Sequence, residues 1–275
     1  MTSGRVVSAL TIAGSDSCGG AGIQADLKTF AALGVHGLSA ITALTAQNMR
    51  GVTAVHVPPV EFLCAQIDAC FDDFDIRAVK IGMLATADVI TTVADALERH
   101  RPCAVVLDPV MVATSGSRLL ADDAIDALRR RLLPLATLVT PNIPEAEALL
   151  GHAIADAATA QRAVTELRNL GARAVLLKGG HLAEGGAVVD RYDDGAQAAS
   201  FVHPRIDVLA HGTGCTLASA IAANLCLGKA LPDACRDASD YVAEALRTGY
   251  RPGRGEIAVL DHQARAGRGN KKADE

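Results

Sequence analysis

The chain has 275 residues, half of them apolar and 21% charged, with 26 Lys and Arg against 31 Asp and Glu and a formal charge of −5. A chain of this length can bury about three quarters of its extended surface, so its apolar content excludes intrinsic disorder. Mildly acidic, with three Tyr, five Phe and no Trp, it lacks both the positive field and the stacking rings of a nucleic-acid binder.

From the amino terminus, residues 6–13 form a near-continuous apolar run that ends at Gly14-Ser15-Asp16. The run follows Arg5 and has the length of a short signal core, but no polar cleavage region follows, which favours a buried first strand. A helix is expected over 22–33, then strands and helices in alternation: strands at 38–45, 77–82, 103–107, 136–140 and 173–178, helices at 60–73, 86–100, 121–133, 144–150 and 157–170. The helix at 121–133 opens with Asp122, Asp123 and Asp126 and closes with Arg129, Arg130 and Arg131, as the helix dipole favours. Residues 52–57 alternate apolar and polar before Pro58-Pro59 and read as a half-exposed strand. Residues 186–203, broken by Gly195, read as a hairpin, and two Ala-rich helices are expected over 213–227 and 231–248. The whole predicts an α/β domain over 1–263, a three-layer sandwich of a mostly parallel sheet between helices, and a disordered polar tail over 264–275. No apolar run approaches the roughly 18 residues of a spanning helix, so no membrane role is expected. The seven cysteines are odd in number and form no C-x-x-C pair, which argues for reduced thiols in the cytoplasm. Cys64, Cys70, Cys103, Cys226 and Cys235 read as small core hydrophobes.

Open parallel sheets bind ligands beyond the carboxyl ends of their strands, and polar residues collect at several of these ends. Gly20-x-Gly22-x-x-Ala25 meets the bare dinucleotide fingerprint, but no acidic residue stands between Asp26 and Glu61 to hold a ribose. Thr45, Gln47 and Asn48 follow the second strand instead. His211-Gly212-Thr213-Gly214-Cys215-Thr216 opens an Ala-rich helix, and free amides at a glycine-rich helix start make an anion site. A glycine turn capped by Thr213 is the plainer alternative. A thiol at Cys215 would meet the positive end of the helix dipole, where thiolate is favoured. No Gly-Lys-Ser or Gly-Lys-Thr follows a glycine loop, so this is not a Walker A site. Asp108 follows Val105-Val106-Leu107, Asn142 and Glu145 follow Thr137-Leu138-Val139-Thr140, and Lys178 follows Ala174-Val175-Leu176-Leu177. Each has a plain reading alone, Asn142 as a helix cap among them. Jointly, carboxylates with an amide suit Mg²⁺ held through water, and a Lys suits a phosphate. These are the parts of phosphoryl transfer.

Eight collinear blocks carry a resemblance: Ala13-Gly14-Ser15-Asp16, Gly19-Gly20-Ala21-Gly22-Ile23-Gln24-Ala25-Asp26, Thr45-Ala46-Gln47-Asn48, Lys80-Ile81-Gly82-Met83-Leu84, Asp108-Pro109-Val110-Met111, Thr140-Pro141-Asn142-x-x-Glu145, Lys178-Gly179-Gly180-His181 and His211-Gly212-Thr213-Gly214-Cys215-Thr216. Together they resemble the hydroxymethylpyrimidine/phosphomethylpyrimidine kinases of the ribokinase-like superfamily, over about residues 6–250. The resemblance implies an αβα sandwich with a small β flap and Mg²⁺-ATP as donor. It implies two successive phosphorylations, of 4-amino-5-hydroxymethyl-2-methylpyrimidine and then of its monophosphate. It places Gly14, Asp16, Gln47, Met83 and Val110 at the pyrimidine, with the Gln47 amide on the aminopyrimidine edge. Gly212, Thr213, Gly214 and Cys215 would form the anion hole, Lys178 would touch the transferred phosphate, and Asp108, Thr140, Asn142, Lys178 and Thr213 would serve the nucleotide. Glu145 with Asn142 would order Mg²⁺ through water. Sugar kinases of the superfamily carry Asp where this chain has Cys215, whereas the pyrimidine kinases resemble it in having Cys. A homodimer is implied as well.

Three other readings stay open on the sequence. A vitamin B6 kinase shares the scaffold and the Gly-Thr-Gly-Cys turn, with Cys18 as a candidate aldehyde trap; Gln47 favours the aminopyrimidine. A non-enzymatic nucleotide sensor is opposed by intact Lys178, Asn142, Glu145 and Cys215. A dinucleotide oxidoreductase is opposed by the missing ribose carboxylate.

Overall fold

The computed structural model describes residues 6–113, 116, 119–121 and 123–264. Apart from Ala264, the expected tail lies outside these residues, as does Asp122.

Six strands run parallel at the centre of a nine-stranded sheet: β1 (Ser8–Asp16), β2 (His36–Asn48), β4 (Ile76–Ile81), β5 (Ala104–Leu107), β6 (Leu138–Val139) and β7 (Val175–Leu177). One edge is closed by β3 (Gly51–His56), antiparallel to β2, and the other by the hairpin of β8 (Ala187–Asp193) and β9 (Ala198–Pro204). The order is β3-β2-β1-β4-β5-β6-β7-β8-β9. The helices are α1 (Gly22–Ala32), α2 (Val60–Asp73), α3 (Ala87–His100), α4 (Ala124–Ala127), α5 (Ile143–Leu150), α6 (Ala157–Asn169), α7 (Thr213–Cys226) and α8 (Leu231–Arg247).

Strand alternation sorts these helices into two layers. Leu10, Ile12, Val79, Ile81, Val105 and Leu107 pack with Leu63 and Ile67 of α2, Val93 of α3, Leu149 of α5 and Val164 of α6. The residues between them, Ala9, Ala78, Ala104 and Val106, face Phe30 of α1, Ala218 and Ile221 of α7 and Tyr241 of α8. Alanines on both the sheet and α7 leave little side-chain bulk between them, so the start of α7 sits beside the strand ends. The expected three-layer sandwich is the observed one.

Four differences have local causes. The helix expected over 121–133 begins at Ala124, because the Ala121 amide is bonded to the Ala85 carbonyl in the preceding loop. It then widens into a π-helical turn at Leu128–Leu132 and a 3₁₀ turn at Leu133–Leu135, where Pro134 has no amide hydrogen to continue it. Strand β2 runs three residues past Thr45, because its far end pairs with the flap strand, Gln47 opposite Val52. A two-stranded parallel sheet of β10 (Ala210–His211) and β11 (Ala258–Val259), not expected at all, ties the segment before α7 to the end of the chain. Of the cysteines read as core residues, only Cys226 and Cys235 are buried; Cys64 and Cys70 are half-buried and Cys103 is exposed. No helix among the described residues is long and apolar enough to cross a membrane.

Candidate active site

The carboxyl ends of the central strands and the start of α7 open into one cavity of about 700 Å³, within the range of small-molecule sites. The pleat that packs the core also aims residues at it, since β1, β2, β4 and β5 each end in a polar or flexible segment there.

At one end β1 runs on through Gly14 to Asp16, whose carboxylate gathers the following loop. It accepts from the amides of Cys18 at 2.9 Å, Gly20 at 3.0 Å and Ala21 at 2.8 Å. This arrangement disposes of the dinucleotide fingerprint: the loop amides that would face a pyrophosphate are taken by a carboxylate of the chain itself. Asp16 lines the cavity, although its carboxylate serves the loop rather than standing free for a substrate. Gly14, Gln47, Met83 and Val110 line the same end. A Cβ on Gly14 would stand 2.9 Å from the Met83 Sδ, so only glycine lets the thioether lie flat against β1. One end of the Gln47 amide lies 2.8 Å from Nε2 of His211, a residue that is 2% exposed.

At the other end Lys178 reaches between two carboxylates, its Nζ 2.8 Å from Asp108 Oδ1 and 3.7 Å from Glu145 Oε2. Burial works against the Lys178 charge, but Asp108 and Glu145 outweigh it and hold the ammonium above the usual lysine range. Burial pushes the Glu145 carboxyl up to about 7, with Lys178 opposing. Asn142 caps α5: its amide oxygen accepts from the Glu145 amide at 2.9 Å, and the Glu145 carboxylate accepts from the Asn142 amide at 2.8 Å. The capping reading of Asn142 therefore holds; with one hydrogen bond accepted its oxygen keeps a second lone pair, and Asn142 lines the cavity together with Asp108 and Glu145. A pair of carboxylates suits Mg²⁺, which keeps most of its waters and its phosphate ligands. Thr140, expected at the nucleotide, is wholly buried, its hydroxyl faces the Leu107 carbonyl, and it is absent from the cavity wall. Its backbone amide bonds the same Leu107 carbonyl at 2.9 Å, continuing the pairing of β6 with β5 past Val139 and holding this side chain between the layers.

The glycine turn closes over that end. Gly212 is the N-cap of α7 with φ 81°, and a Cβ there would stand 2.0 Å from the Gly20 carbonyl oxygen. Both the left-handed backbone and the contact between the two loops demand glycine. Thr213 is the first helical residue and not the cap, and Gly212 has no side chain to offer the open amides. A Cβ on Gly214 would lie 3.1 Å from Lys178 Nζ and 3.5 Å from Asp108 Oδ2, so the turn, the cation and the carboxylate converge. Cys215 follows, its thiol held by the Gly22 amide and pushed up to about 11 by burial, against the pull of Lys80. The thiolate expected from the helix dipole alone is therefore not the resting form at neutral pH.

Two residues of the site were quoted in the sequence without a role. Lys80 lies beneath the cavity floor with an exposure of zero, its Nζ 2.9 Å from Asp26 Oδ2. Asp26 also accepts from Thr11 at 2.6 Å and Ser219 at 2.7 Å. Burial opposes the Lys80 charge, but the Asp26 carboxylate overrides it and keeps the ammonium above its usual range. The signal was a lysine inside the strand run Ile76-Arg77-Ala78-Val79-Lys80-Ile81, on the face shared with Ala78. His211 left no such signal beyond its place before the glycine turn.

A family model described as phosphomethylpyrimidine kinase matches residues 16–260. The chain is 52% identical over 255 residues to a hydroxymethylpyrimidine/phosphomethylpyrimidine kinase of Rhizobium meliloti, covering 90% of this chain and 95% of that one. It is also 52% identical over 253 residues to the thiamine biosynthesis bifunctional protein ThiED of Geobacter sulfurreducens, covering 92% of this chain but spanning only 51% of that longer protein. Among solved structures, the ADP complex of a Bacillus subtilis pyridoxal kinase superposes with a TM-score of 0.88 at 34% identity, covering 95% of this chain and 99% of that one.

Proposed function

The chain belongs to the phosphomethylpyrimidine kinase family, and from that premise we infer how its cavity works. It is a phosphotransferase that moves the γ-phosphoryl group of ATP to 4-amino-5-hydroxymethyl-2-methylpyrimidine and then to the resulting monophosphate. The observation that carries the reading is the convergence of Lys178, Asp108 and the open amides of Gly212–Cys215 at one end of a cavity whose other end holds Gly14, Met83 and Gln47.

The aminopyrimidine lies between Met83 and Val110, with the Gln47 amide donating and accepting along its edge. The hydroxymethyl oxygen forms a bond to the γ-phosphorus while the bond to the ADP oxygen breaks, and the hydroxyl proton passes to an oxygen of the transferred phosphoryl group and on to solvent. Charge on the moving PO₃ falls to the open amides and to Lys178, donors already in place before the transfer. A loose transfer asks little of a base, which suits a Cys215 thiol that is protonated at rest and aligns the acceptor hydroxyl. Mg²⁺, when bound, would neutralise charge on the phosphates; Glu145 with Asn142, and Asp108 beside them, are the residues that would hold it, through water. A cytosolic setting and a homodimer complete the proposal, the former supported by seven free thiols.

The pyridoxal-kinase neighbour makes that vitamer the alternative acceptor to test. ADP release is expected with the pyrimidine alcohol and with its monophosphate, and to be slower by at least about tenfold in kcat/KM with pyridoxal, since a contact to Gln47 lost is worth about 1.4 kcal/mol or more. Faster turnover of pyridoxal would overturn the assignment.

A further inference from the structure

Beside the pyrimidine end stands a cluster that phosphoryl transfer does not use. A carboxylate oxygen of Asp16, the Sγ of Cys18 and a ring nitrogen of His211 all lie within 4.8 Å of one another. Three facts mark it as more than a chance grouping. His211 is 2% exposed and its Nδ1 is buried without a hydrogen-bond partner, although buried ring nitrogens are ordinarily satisfied. Asp16 Oδ1 takes only the Cys18 amide, while Oδ2 takes the Gly20 and Ala21 amides and the Cys18 thiol, so Oδ1 keeps a free lone pair. And Nε2 of His211 lies 2.8 Å from the Gln47 amide nitrogen; once that amide turns over to present its oxygen, it is the kind of outer partner that orients a metal-bound imidazole.

We propose that Asp16, Cys18 and His211 form a binding site for a thiophilic divalent cation of the zinc type, at the rim of the pyrimidine pocket. One oxygen, one sulfur and one imidazole nitrogen are the donor set of zinc and cobalt(II), and magnesium avoids sulfur. Ligand atoms around tetrahedral zinc stand roughly 3.3–3.8 Å apart, so closing from 4.8 Å takes a side-chain adjustment and no loop rearrangement. On binding, the Cys18 thiol gives its proton to solvent, and the 2+ charge balances the Asp16 carboxylate and the new thiolate. The imidazole then ligates through Nδ1 and carries its proton on Nε2, and the Gln47 amide, whose nitrogen faces that atom in the structure, turns over to offer its oxygen. The turned amide nitrogen then faces the Thr45 hydroxyl, which stands 3.3 Å from the amide oxygen in the structure and, with its one hydrogen serving the Ser15 carbonyl at 2.9 Å, is able to accept. The metal thus freezes the amide that reads the pyrimidine and leaves its fourth position facing that pocket. Zinc at this site inhibits by competing with the pyrimidine and not with ATP.

The binding test uses the full chain free of nucleotide and of pyrimidine, so its outcome is independent of the kinase assignment. Co²⁺ titration is expected to give one equivalent bound, with a near-ultraviolet thiolate-to-cobalt band that Zn²⁺ abolishes. Cys18→Ser should lose the band and keep its kinase turnover. His211→Gln should bind Co²⁺ more weakly by well over about tenfold, the scale on which even outer partners count. Cys215→Ser should keep the band. In kinetics at saturating Mg²⁺-ATP, Zn²⁺ should raise the KM for the pyrimidine alcohol in the parent and leave Cys18→Ser unaffected. No thiolate band, a band that follows Cys215 instead of Cys18, or equal zinc inhibition of the Cys18→Ser variant would each overturn the proposal.

Discussion

The buried Lys80–Asp26 pair shows how much charge the cavity floor carries. Both side chains are fully buried, and Asp26 takes three hydrogen bonds from three different elements. A buried pair adds little over an apolar substitute, but breaking it strands a charge. Asp26→Asn should therefore cost about 3–5 kcal/mol in urea unfolding, and the double variant with Lys80→Met should recover part of that loss. A single-variant cost below about 1 kcal/mol would mean that water or another group already shares the charge. Glu145 makes the second prediction at this scale. With its carboxyl pushed up to about 7 by burial, it is neutral below that pH and ionised above it. As the ionised form is the one that can order Mg²⁺ and pair with Lys178, kcat/KM should rise with pH through about 7. Glu145→Gln should erase that limb and run about tenfold slower, the worth of one lost charged contact. The Cys215 thiol, near 11, lies too high to produce it; a limb that survives in Glu145→Gln but vanishes in Cys215→Ser would reassign it.

Among the elements, α7 decides whether the anion hole exists, and its position depends on the end of the chain. His262 is buried, its Nε2 lies 3.2 Å from the Thr216 hydroxyl in the first turn of α7, and its carbonyl accepts from the Tyr241 hydroxyl of α8 at 2.8 Å. Strand β11 pairs with β10 just before the glycine turn. Burial holds the His262 imidazole down at about 4, so below the ordinary histidine range the unfolded chain binds a proton that the folded chain refuses. Stability should accordingly fall by about 2 kcal/mol between pH 7 and pH 5. In His262→Gln that part of the slope should disappear, as measured by denaturant unfolding at the two pH values. An unchanged slope would show that the ring is hydrated in the native state. The long elements at this junction were legible in the sequence, α7 and α8 to within one residue, because a helix carries its pattern over several turns. Strands β10 and β11 were not, since two residues carry no period.

At the scale of the whole molecule, the long β2 and its partner β3 stand out from the sheet beside the cavity, with Val55 exposed and Gln47 at the joint. A flap that closes on ligand excludes water from the moving phosphoryl group. Amide exchange at residues 52–57 should slow by at least about tenfold when pyrimidine and a non-hydrolysable nucleotide are both bound, as an opening cost raised by about 1.4 kcal/mol requires. Unchanged exchange would mean that the flap is a fixed wall. The alternation of buried strands with amphipathic helices already determined the three-layer order, and the glycine and polar residues at the strand ends already determined that a phosphate would be handled there. Both are local patterns, set by burial periodicity and backbone chemistry within a few residues. The tertiary structure alone decided that Thr140 turns inward, that burial raises the Cys215 thiol, and that Lys80 meets Asp26 across 54 positions. Those outcomes rest on desolvation and on partners distant in the chain, quantities that exist only once the layers have closed.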